Sequence, residues 1–125
     1  MEIKMKVERL SFQALKKILN GSIRETATCV IKFYSNDCHY CHALKEYYED
    51  LANTYEDIYF FAFNTGDTSA VDRLIKISGV PTIALVRSHA GGTPIIRILE
   101  EPIKPNDHTW YRSSDIKNFI ERHKK

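Results

Sequence analysis

The stretch from residue 28 to residue 42 constrains the fold of this chain more than any other part of the sequence. An apolar run rich in β-branched and aromatic residues occupies 28–34 and ends in a Ser-Asn-Asp turn. Cys38 and Cys41 follow, and a helical pattern begins immediately after them. The sequence therefore predicts a strand, a pair of cysteines and a helix N-terminus in direct succession.

The position of the two cysteines points to thiol chemistry. A thiol reacts as its thiolate, and the first turn of a helix offers backbone N–H groups and the positive end of the helix dipole, both of which stabilise an anion. We therefore expect a lowered pKa for Cys38. Cys41 lies one helical turn further on, close enough to form a small disulfide ring with Cys38. Such a pair is suited to reversible exchange and not to cross-linking distant parts of a chain.

Length, charge and composition limit the class of protein. The chain fits one domain, residues 1–125, and 43% hydrophobic with 27% charged residues is ordinary for a soluble globular protein. The net charge of +2 is too small to predict binding to nucleic acid or to an anionic membrane surface. Residues 1–6 alternate charged and apolar side chains, unlike a signal peptide, and no apolar stretch is long enough to cross a bilayer. We expect a cytoplasmic monomer.

Strand and helix patterns alternate along the chain. Strands are predicted over residues 3–10, 28–34, 58–63, 82–86 and 95–99, and helices over 12–19, about 39–53, about 71–77 and a C-terminal segment around 116–120. The expected helix N-caps are Ser11, Asp37, and either Ser113 or Ser114. A hairpin turn is predicted at 90–92. The order βαβαβαββα, without an internal repeat, indicates one α/β domain.

This order of elements, together with its motifs, resembles the thioredoxin family. The resemblance rests on the Cys-x-x-Cys at a helix start and on Gly79-Val80-Pro81-Thr82, which opens a strand that leads into a hairpin and a last helix. It extends over roughly residues 5–123. The resemblance implies a thioredoxin fold, in which a central mixed β-sheet carries helices on both faces.

The same resemblance implies a thiol–disulfide oxidoreductase that exchanges its dithiol with disulfides in client proteins. Cys38 matches the attacking nucleophile, Cys41 the resolving cysteine, and Pro81 a cis-proline that packs against the disulfide. The backbone of Val80 matches the edge that pairs with an extended client segment. A thioredoxin-reductase-like enzyme or another thiol reductant would regenerate the dithiol, and no cofactor or metal is implied.

Residues next to the cysteines depart from the family pattern. His39 and Tyr40 stand between the cysteines where thioredoxins have Gly-Pro, and Asp37 stands where the family keeps Trp. A cationic His39 would favour the Cys38 thiolate, whereas Asp37 would oppose it. The direction in which the reduction potential moves therefore stays open.

Lys32 is unexpected in a strand that should be covered on both faces. The resemblance places it where thioredoxins hold a buried acid that helps to move the proton of the resolving cysteine. In one interpretation Lys32 reaches solvent or pairs with an acid. In the other its charge stabilises the Cys41 thiolate.

Several aromatic residues and the third cysteine have their own interpretations. Tyr34, in the position of a family Trp, is expected to pack under the active-site loop and to contribute to client binding. Segment 100–112 is longer than the link of a compact thioredoxin, so its Trp110 and Tyr111 either anchor the loop on the core or contact clients. Cys29 lies inside a strand and is expected to be a buried hydrophobe, not a third redox partner.

The sequence leaves other functions open. Tyr40 beside the second cysteine resembles glutaredoxins and would suit a glutathione-linked activity. His42 completes Cys-x-x-Cys-His, the attachment pattern of c-type haem, although we expect no export signal in this chain. A zinc or iron–sulfur site at Cys38, Cys41 and nearby histidines, or a non-catalytic binding module, is a further alternative, but no second ligand pair occurs elsewhere.

Overall fold

Apolar, β-branched and aromatic segments form one mixed sheet of five strands. The computed structural model describes residues 6–90 and 92–125. The strands are β1 (Val7–Arg9), β2 (Ala27–Tyr34), β3 (Ile58–Asn64), β4 (Thr82–Ser88) and β5 (Ile95–Ile98). The helices are α1 (Phe12–Leu19), α2 (His39–Thr54) and α3 (Ser113–His123), and two short 3₁₀ helices cover Thr65–Asp67 and Ser69–Arg73.

The sheet has the strand order β1-β3-β2-β4-β5. Strands β1 and β2 run parallel to β3, whereas β4 runs antiparallel to both β2 and β5. Phe33 near the end of β2 pairs with Thr82 at the start of β4. The cysteines that follow β2 and the proline that precedes β4 therefore belong to the same edge of the sheet.

Buried side chains on the two faces of the sheet form two separate cores. Alternate residues of a strand point to opposite faces, so Val30 packs against α2 and α3, whereas Ile31 packs on the side of α1. Burying each such Leu, Ile, Val or Phe side chain contributes about 1.5 to 3 kcal/mol. The predicted thioredoxin fold, a mixed sheet with helices on both faces, is confirmed.

The third predicted helix is not an α-helix, which corrects the predicted order βαβαβαββα at that place. A 3₁₀ helix spans Ser69–Arg73, and the backbone leaves helical geometry soon after it. Val71 and Ile75 are buried, so the apolar spacing in 71–77 does mark a face that packs on the core. The segment is too short for full α-helical turns because a glycine and a proline follow closely.

One of the predicted N-caps outside the cysteine region is confirmed and the other is wrong. The Ser11 hydroxyl oxygen accepts a hydrogen bond of 3.1 Å from the backbone N–H of Ala14 in the first turn of α1, as predicted. The N-cap of helix α3 is Arg112, so the helix begins one residue earlier than a Ser113 cap requires and two residues earlier than a Ser114 cap requires. The Asp115 carboxylate accepts the Arg112 backbone N–H at 2.8 Å, and this bond fixes the start of the helix instead.

Two predicted features fall partly on residues outside the described part of the chain. The strand predicted over 3–10 is described as β1, Val7–Arg9, and residues 1–5 lie outside the description. Gly91, in the hairpin turn predicted at 90–92, also lies outside it. In the part that is described, every helix is too short or too polar to span a bilayer.

Candidate active site

Cys38 and Cys41 form a disulfide at the start of α2, with their Cα atoms 5.2 Å apart. Cys38 is the N-cap residue of the helix, and its sulfur accepts a hydrogen bond from the Cys41 amide at 3.0 Å. Cys38 is 8% exposed and Cys41 only 2%. The sulfur that the helix N-terminus supports is thus also the one that solvent reaches more easily, which suits Cys38 to the first attack.

Asp37 does not cap α2, contrary to the prediction. The cap position belongs to Cys38, because the preceding turn closes with the Cys38 amide donating to the Ser35 carbonyl at 3.2 Å. Asp37 is exposed, and its side chain makes no hydrogen bond to the other described residues. His39 is exposed as well. Water and salt screen exposed groups, so the influence of these two side chains on the Cys38 thiolate is weaker than their sequence positions imply.

Two asparagines hold the loop that precedes α2. Asn64, buried at the end of β3, donates from its side-chain amide to the Asn36 side-chain oxygen at 3.0 Å. His42 Nε2 lies 2.8 Å from the Asn36 carbonyl oxygen and can donate to it as the Nε2–H tautomer. These bonds join the loop, the helix and β3. Sequence reasoning did not single out Asn64 as a site residue, because its partner Asn36 lies far away in the chain.

The geometry around His42 does not fit a metal site built from this histidine and the two cysteines. His42 faces the Asn36 carbonyl, and the sulfurs of Cys38 and Cys41 are bonded to each other. Among residues 6–90 and 92–125, no three His, Cys, Asp or Glu side chains are grouped so that they could hold a metal ion. The two cysteines and His42 therefore do not converge on a common ligand position.

The Val80–Pro81 peptide bond is cis, as the family resemblance implies. The Thr82 hydroxyl donates to the Gly79 carbonyl at 2.6 Å and closes the turn that leads into β4. Val80 is half-buried, and neither its N–H nor its carbonyl is hydrogen-bonded to another described residue. This leaves an open backbone edge on the side of the sheet that carries the cysteines.

The segment 100–112 reaches the active site through Trp110. The Trp110 ring centroid lies 5.4 Å from that of Tyr40, which stands between the two cysteines. The Trp110 indole N–H donates to one Glu101 oxygen at 2.8 Å, and the Ser78 hydroxyl donates to the other at 3.2 Å. Glu101 thus connects this segment to the loop that carries the cis-proline. Sequence reasoning missed Glu101 because no local sequence pattern marks it as a site residue.

The same segment is anchored on the protein, as one of its two interpretations predicted. Asn106 and Trp110 exchange two backbone hydrogen bonds of 2.9 and 3.0 Å, and Trp110 has a positive φ of 66°. Tyr111 is buried in the core, so it supplies the anchor. Trp110 is only half-buried and faces Tyr40, and its contact with clients stays a prediction.

Lys32 is buried at 6% exposure in the central strand β2. Its Nζ lies 5.2 Å from the centre of the Tyr48 ring and 5.7 Å from that of Tyr34. Within the described residues, no carboxylate oxygen comes within 4.0 Å of it, so the predicted pairing with an acid is not found. Burial, reinforced by the nearby Lys45 cation and opposed by Glu49, lowers the pKa of Lys32 to about 8.

A cavity of about 240 Å³ has both Lys32 and Cys41 in its walls. Since one water occupies about 30 Å³ in the liquid, the cavity can hold several. Tyr34 also lines this cavity, and both its packing under the active-site loop and its part in client binding stay predictions. Lys32 therefore lines the same cavity as the less exposed cysteine.

Two further buried groups near Lys32 are chemically inert. Tyr48 is fully buried, donates from its hydroxyl to the Phe61 carbonyl at 2.6 Å, and has a pKa raised well above its ordinary value by burial. Burial also raises the pKa of the Cys29 thiol to about 12. The prediction that Cys29 is a buried hydrophobe is confirmed, because a thiol with such a pKa stays protonated at neutral pH.

Comparison with known protein sequences gives a family and one partial relative. Residues 7–104 match the Thioredoxin family profile. Protein disulfide-isomerase of Aspergillus oryzae is 36% identical over 66 residues, which are 53% of this chain and 13% of that protein. The chain thus spans about an eighth of the length of this curated relative.

Several solved structures share the fold. Thioredoxin of Malassezia sympodialis (Mala s 13) has a TM-score of 0.68 at 16% identity and covers 100% of this chain and 96% of its own. Thioredoxin f from spinach chloroplast, in its short form, has a TM-score of 0.69 at 16% identity, and the match covers 100% of this chain and 99% of thioredoxin f. Thioredoxin f2, in a complex with ferredoxin:thioredoxin reductase, has a TM-score of 0.66 at 16% identity, and the match covers 96% of each chain.

Proposed function

Because this chain belongs to the thioredoxin family, we propose that it is a thiol–disulfide oxidoreductase that exchanges the Cys38–Cys41 pair with disulfides in client proteins. The observation that carries the proposal is the disulfide between these two cysteines at the N-terminus of α2. Partial identity to a protein disulfide-isomerase supports the same chemistry. The reaction needs only these sulfurs and a client disulfide.

The exchange takes place in two displacements at sulfur. The Cys38 thiolate attacks one sulfur of the client disulfide, whose S–S bond breaks, and the other client sulfur leaves as a thiolate. The Cys41 thiolate then attacks the Cys38 sulfur of the mixed disulfide, which forms the Cys38–Cys41 disulfide and releases the second client thiolate. Two electrons pass from the cysteine pair to the client. The reverse sequence oxidises the client.

Client binding is proposed to use the backbone of Val80 and the aromatic surface of Tyr40 and Trp110. The open N–H and carbonyl of Val80 suit pairing with an extended segment, as in strand addition. Tyr40 and Trp110 are both half-buried and offer rigid apolar area beside the disulfide. Such a surface favours clients that present an extended, locally unfolded segment around their disulfide.

Regeneration of the dithiol requires a thiol reductant, and we propose a thioredoxin-reductase-like enzyme. Thioredoxin f2, which shares the fold, has been crystallised with ferredoxin:thioredoxin reductase, which supports a reductase partner. A cytoplasmic, monomeric protein without nucleic-acid or membrane partners is part of the proposal. Cell fractionation and the mass of the purified protein in solution test the location and the monomeric state.

The decisive experiment is the reduction potential of the cysteine pair. Protein carrying Cys29→Ser is equilibrated against glutathione buffers, and the free thiols of Cys38 and Cys41 are counted. A reversible two-electron transition supports the proposal; a value near about −270 mV favours a reductant, and one near about −120 to −180 mV an oxidant or isomerase. The Cys41→Ser variant should trap a mixed disulfide with a test protein such as insulin. If no reversible couple is found, the proposed function is wrong.

A further inference from the structure

The second displacement needs a proton acceptor that the two cysteines do not supply. Cys41 must lose its proton before it can attack, yet it is 2% exposed, and burial disfavours a thiolate. Its backbone N–H is directed to the Cys38 sulfur and not to its own. Cys41 lines the cavity described above, and several charged and polar side chains lie in the walls of that cavity, so the acceptor is to be found among them.

Seven groups that can carry a charge face this cavity besides Cys41. They are Arg9 from β1, Lys32 and Tyr34 from β2, and His42, Lys45, Tyr48 and Glu49 from α2. Arg9 donates to the Asp67 carboxylate at 2.7 Å, which raises its pKa further, so it holds no free electron pair. Tyr48 is neutral and its hydroxyl is already committed to a carbonyl.

The depth of the remaining groups separates Lys32 from the others. His42 and Lys45 are exposed, and Tyr34 and Glu49 are half-buried, so these four residues are all more accessible to solvent than Lys32. Lys32 is the buried one, and no carboxylate of the described residues holds it as a permanent cation. Aromatic rings, which stabilise an ammonium without removing its proton, flank it instead.

We propose that Lys32, as its neutral amine, accepts the proton of Cys41 across this cavity in the resolving step. This inference rests on the proposed exchange function. The proton leaves the Cys41 thiol, passes through cavity water and binds to Lys32 Nζ. The resulting thiolate attacks Cys38, and the new ammonium lies against the rings of Tyr34 and Tyr48 until it returns the proton to solvent. No external co-reactant is needed.

The protonation equilibrium of Lys32 makes this role feasible near neutral pH. Burial lowers its pKa to about 8, so about one molecule in ten carries the neutral amine at pH 7. An ordinary lysine with a pKa of 10.5 would be neutral in only about one molecule in three thousand at that pH. The neutral fraction rises with pH and is nearly complete above pH 9.

The test follows the two displacements separately with a chromogenic aromatic disulfide. Reduced protein carrying Cys29→Ser is mixed with the reagent in a stopped-flow instrument. The first aromatic thiolate is released when Cys38 attacks, and the second when Cys41 resolves the mixed disulfide. In Lys32→Met we expect an unchanged first release and a second release slower by about 100-fold at pH 7, the low end of what a positioned base contributes. Circular dichroism confirms that the variant is folded.

The pH dependence and two matched variants distinguish this role from a structural one. The second rate of the native sequence should rise with pH, reach half of its maximum near pH 8 and then level off, whereas that of Lys32→Met should keep rising over the same range. Lys32→Arg keeps the charge but cannot accept a proton, so it should be as slow as Lys32→Met. Lys45→Met and Glu49→Gln change the same cavity but keep the Lys32 amine, so they should shift the pH profile of the second rate and slow it far less than Lys32→Met does.

Each outcome decides a separate question. A normal first release with an unchanged second release in Lys32→Met would show that Lys32 does not accept the proton. Recovery of the second release in Lys32→Arg would assign the effect to charge and overturn the proposal. A slow second release in Glu49→Gln would give the role to Glu49. If the Cys29→Ser protein gives no first release, the exchange function itself fails, and the role of Lys32 fails with it.

Discussion

Replacing Lys32 by methionine should stabilise the oxidised protein at neutral pH. The ammonium group of Lys32 is buried in the central strand, and no carboxylate among residues 6–90 and 92–125 lies within 4.0 Å of it. Methionine keeps the unbranched shape of the side chain and packs well against an aromatic ring such as that of Tyr48. The substitution therefore removes the cost of burying a charge and retains most of the packing.

The expected magnitude follows from the pKa of Lys32. Folding lowers it from 10.5 to about 8, and this difference corresponds to about 3 kcal/mol at about 1.36 kcal/mol per pH unit. Because the folded protein binds fewer protons than the unfolded chain between these two values, the stability of the native sequence rises with pH in that window. We expect Lys32→Met to be more stable by about 2 to 3 kcal/mol below pH 8. This advantage should vanish as the pH rises through 10.5.

The assay is denaturation of the oxidised proteins by urea at a series of pH values from 7 to above 10, monitored by circular dichroism. Every protein carries Cys29→Ser, which prevents disulfide exchange at high pH. Lys117→Met, an exposed lysine replaced on α3, is the control and should track the native sequence at each pH. The slope of the free energy of unfolding against urea should match between variants. A stability difference that does not change with pH, or a less stable Lys32→Met, would refute the reasoning.

Three further results are expected. Trp110→Ala should raise KM for reduction of a protein disulfide about tenfold, or about 1.4 kcal/mol, with little effect on a small aromatic disulfide; equal losses on both substrates would contradict a client contact. Tyr48→Phe should lower the free energy of unfolding by about 1 to 2 kcal/mol, because the Phe61 carbonyl loses a buried donor, and urea titration measures this. Cys29, whose pKa is about 12, should resist alkylation at pH 8 in the folded, reduced protein; mass spectrometry that finds it labelled as fast as Cys38 would refute its burial.

The fold could be predicted because its signals are local. A strand, two cysteines and a helix start follow one another within 28–42, and each can be recognised from neighbouring residues. The cis-proline could be predicted in the same way, because it belongs to a short sequence motif. The limits of local patterns appear at the helix starts: Asp37 is a good capping residue, but the turn closes one residue later and leaves the cap to Cys38.

The parts of the site that escaped prediction depend on contacts between distant residues. Trp110 meets Tyr40 only because the long segment folds back over the active site, and Glu101 holds that arrangement through Ser78. The sequence marks Lys32 as unusual, but one of the two aromatic rings beside its amine, that of Tyr48, comes from a different element, the helix α2. Hydrophobic periodicity assigns a residue to a face and does not identify its partner on the next element.

The disulfide lies between two different environments, and this division predicts how variants will behave. Outside it are the open backbone of Val80 and the aromatic pair Tyr40 and Trp110, which a client can reach. Inside it is the cavity that Cys41 shares with Lys32. The first displacement uses only the outer environment, and the second depends on the inner one. Changes on the outer side should therefore alter KM for clients, whereas changes at Lys32 should alter the resolving rate for every disulfide, large or small.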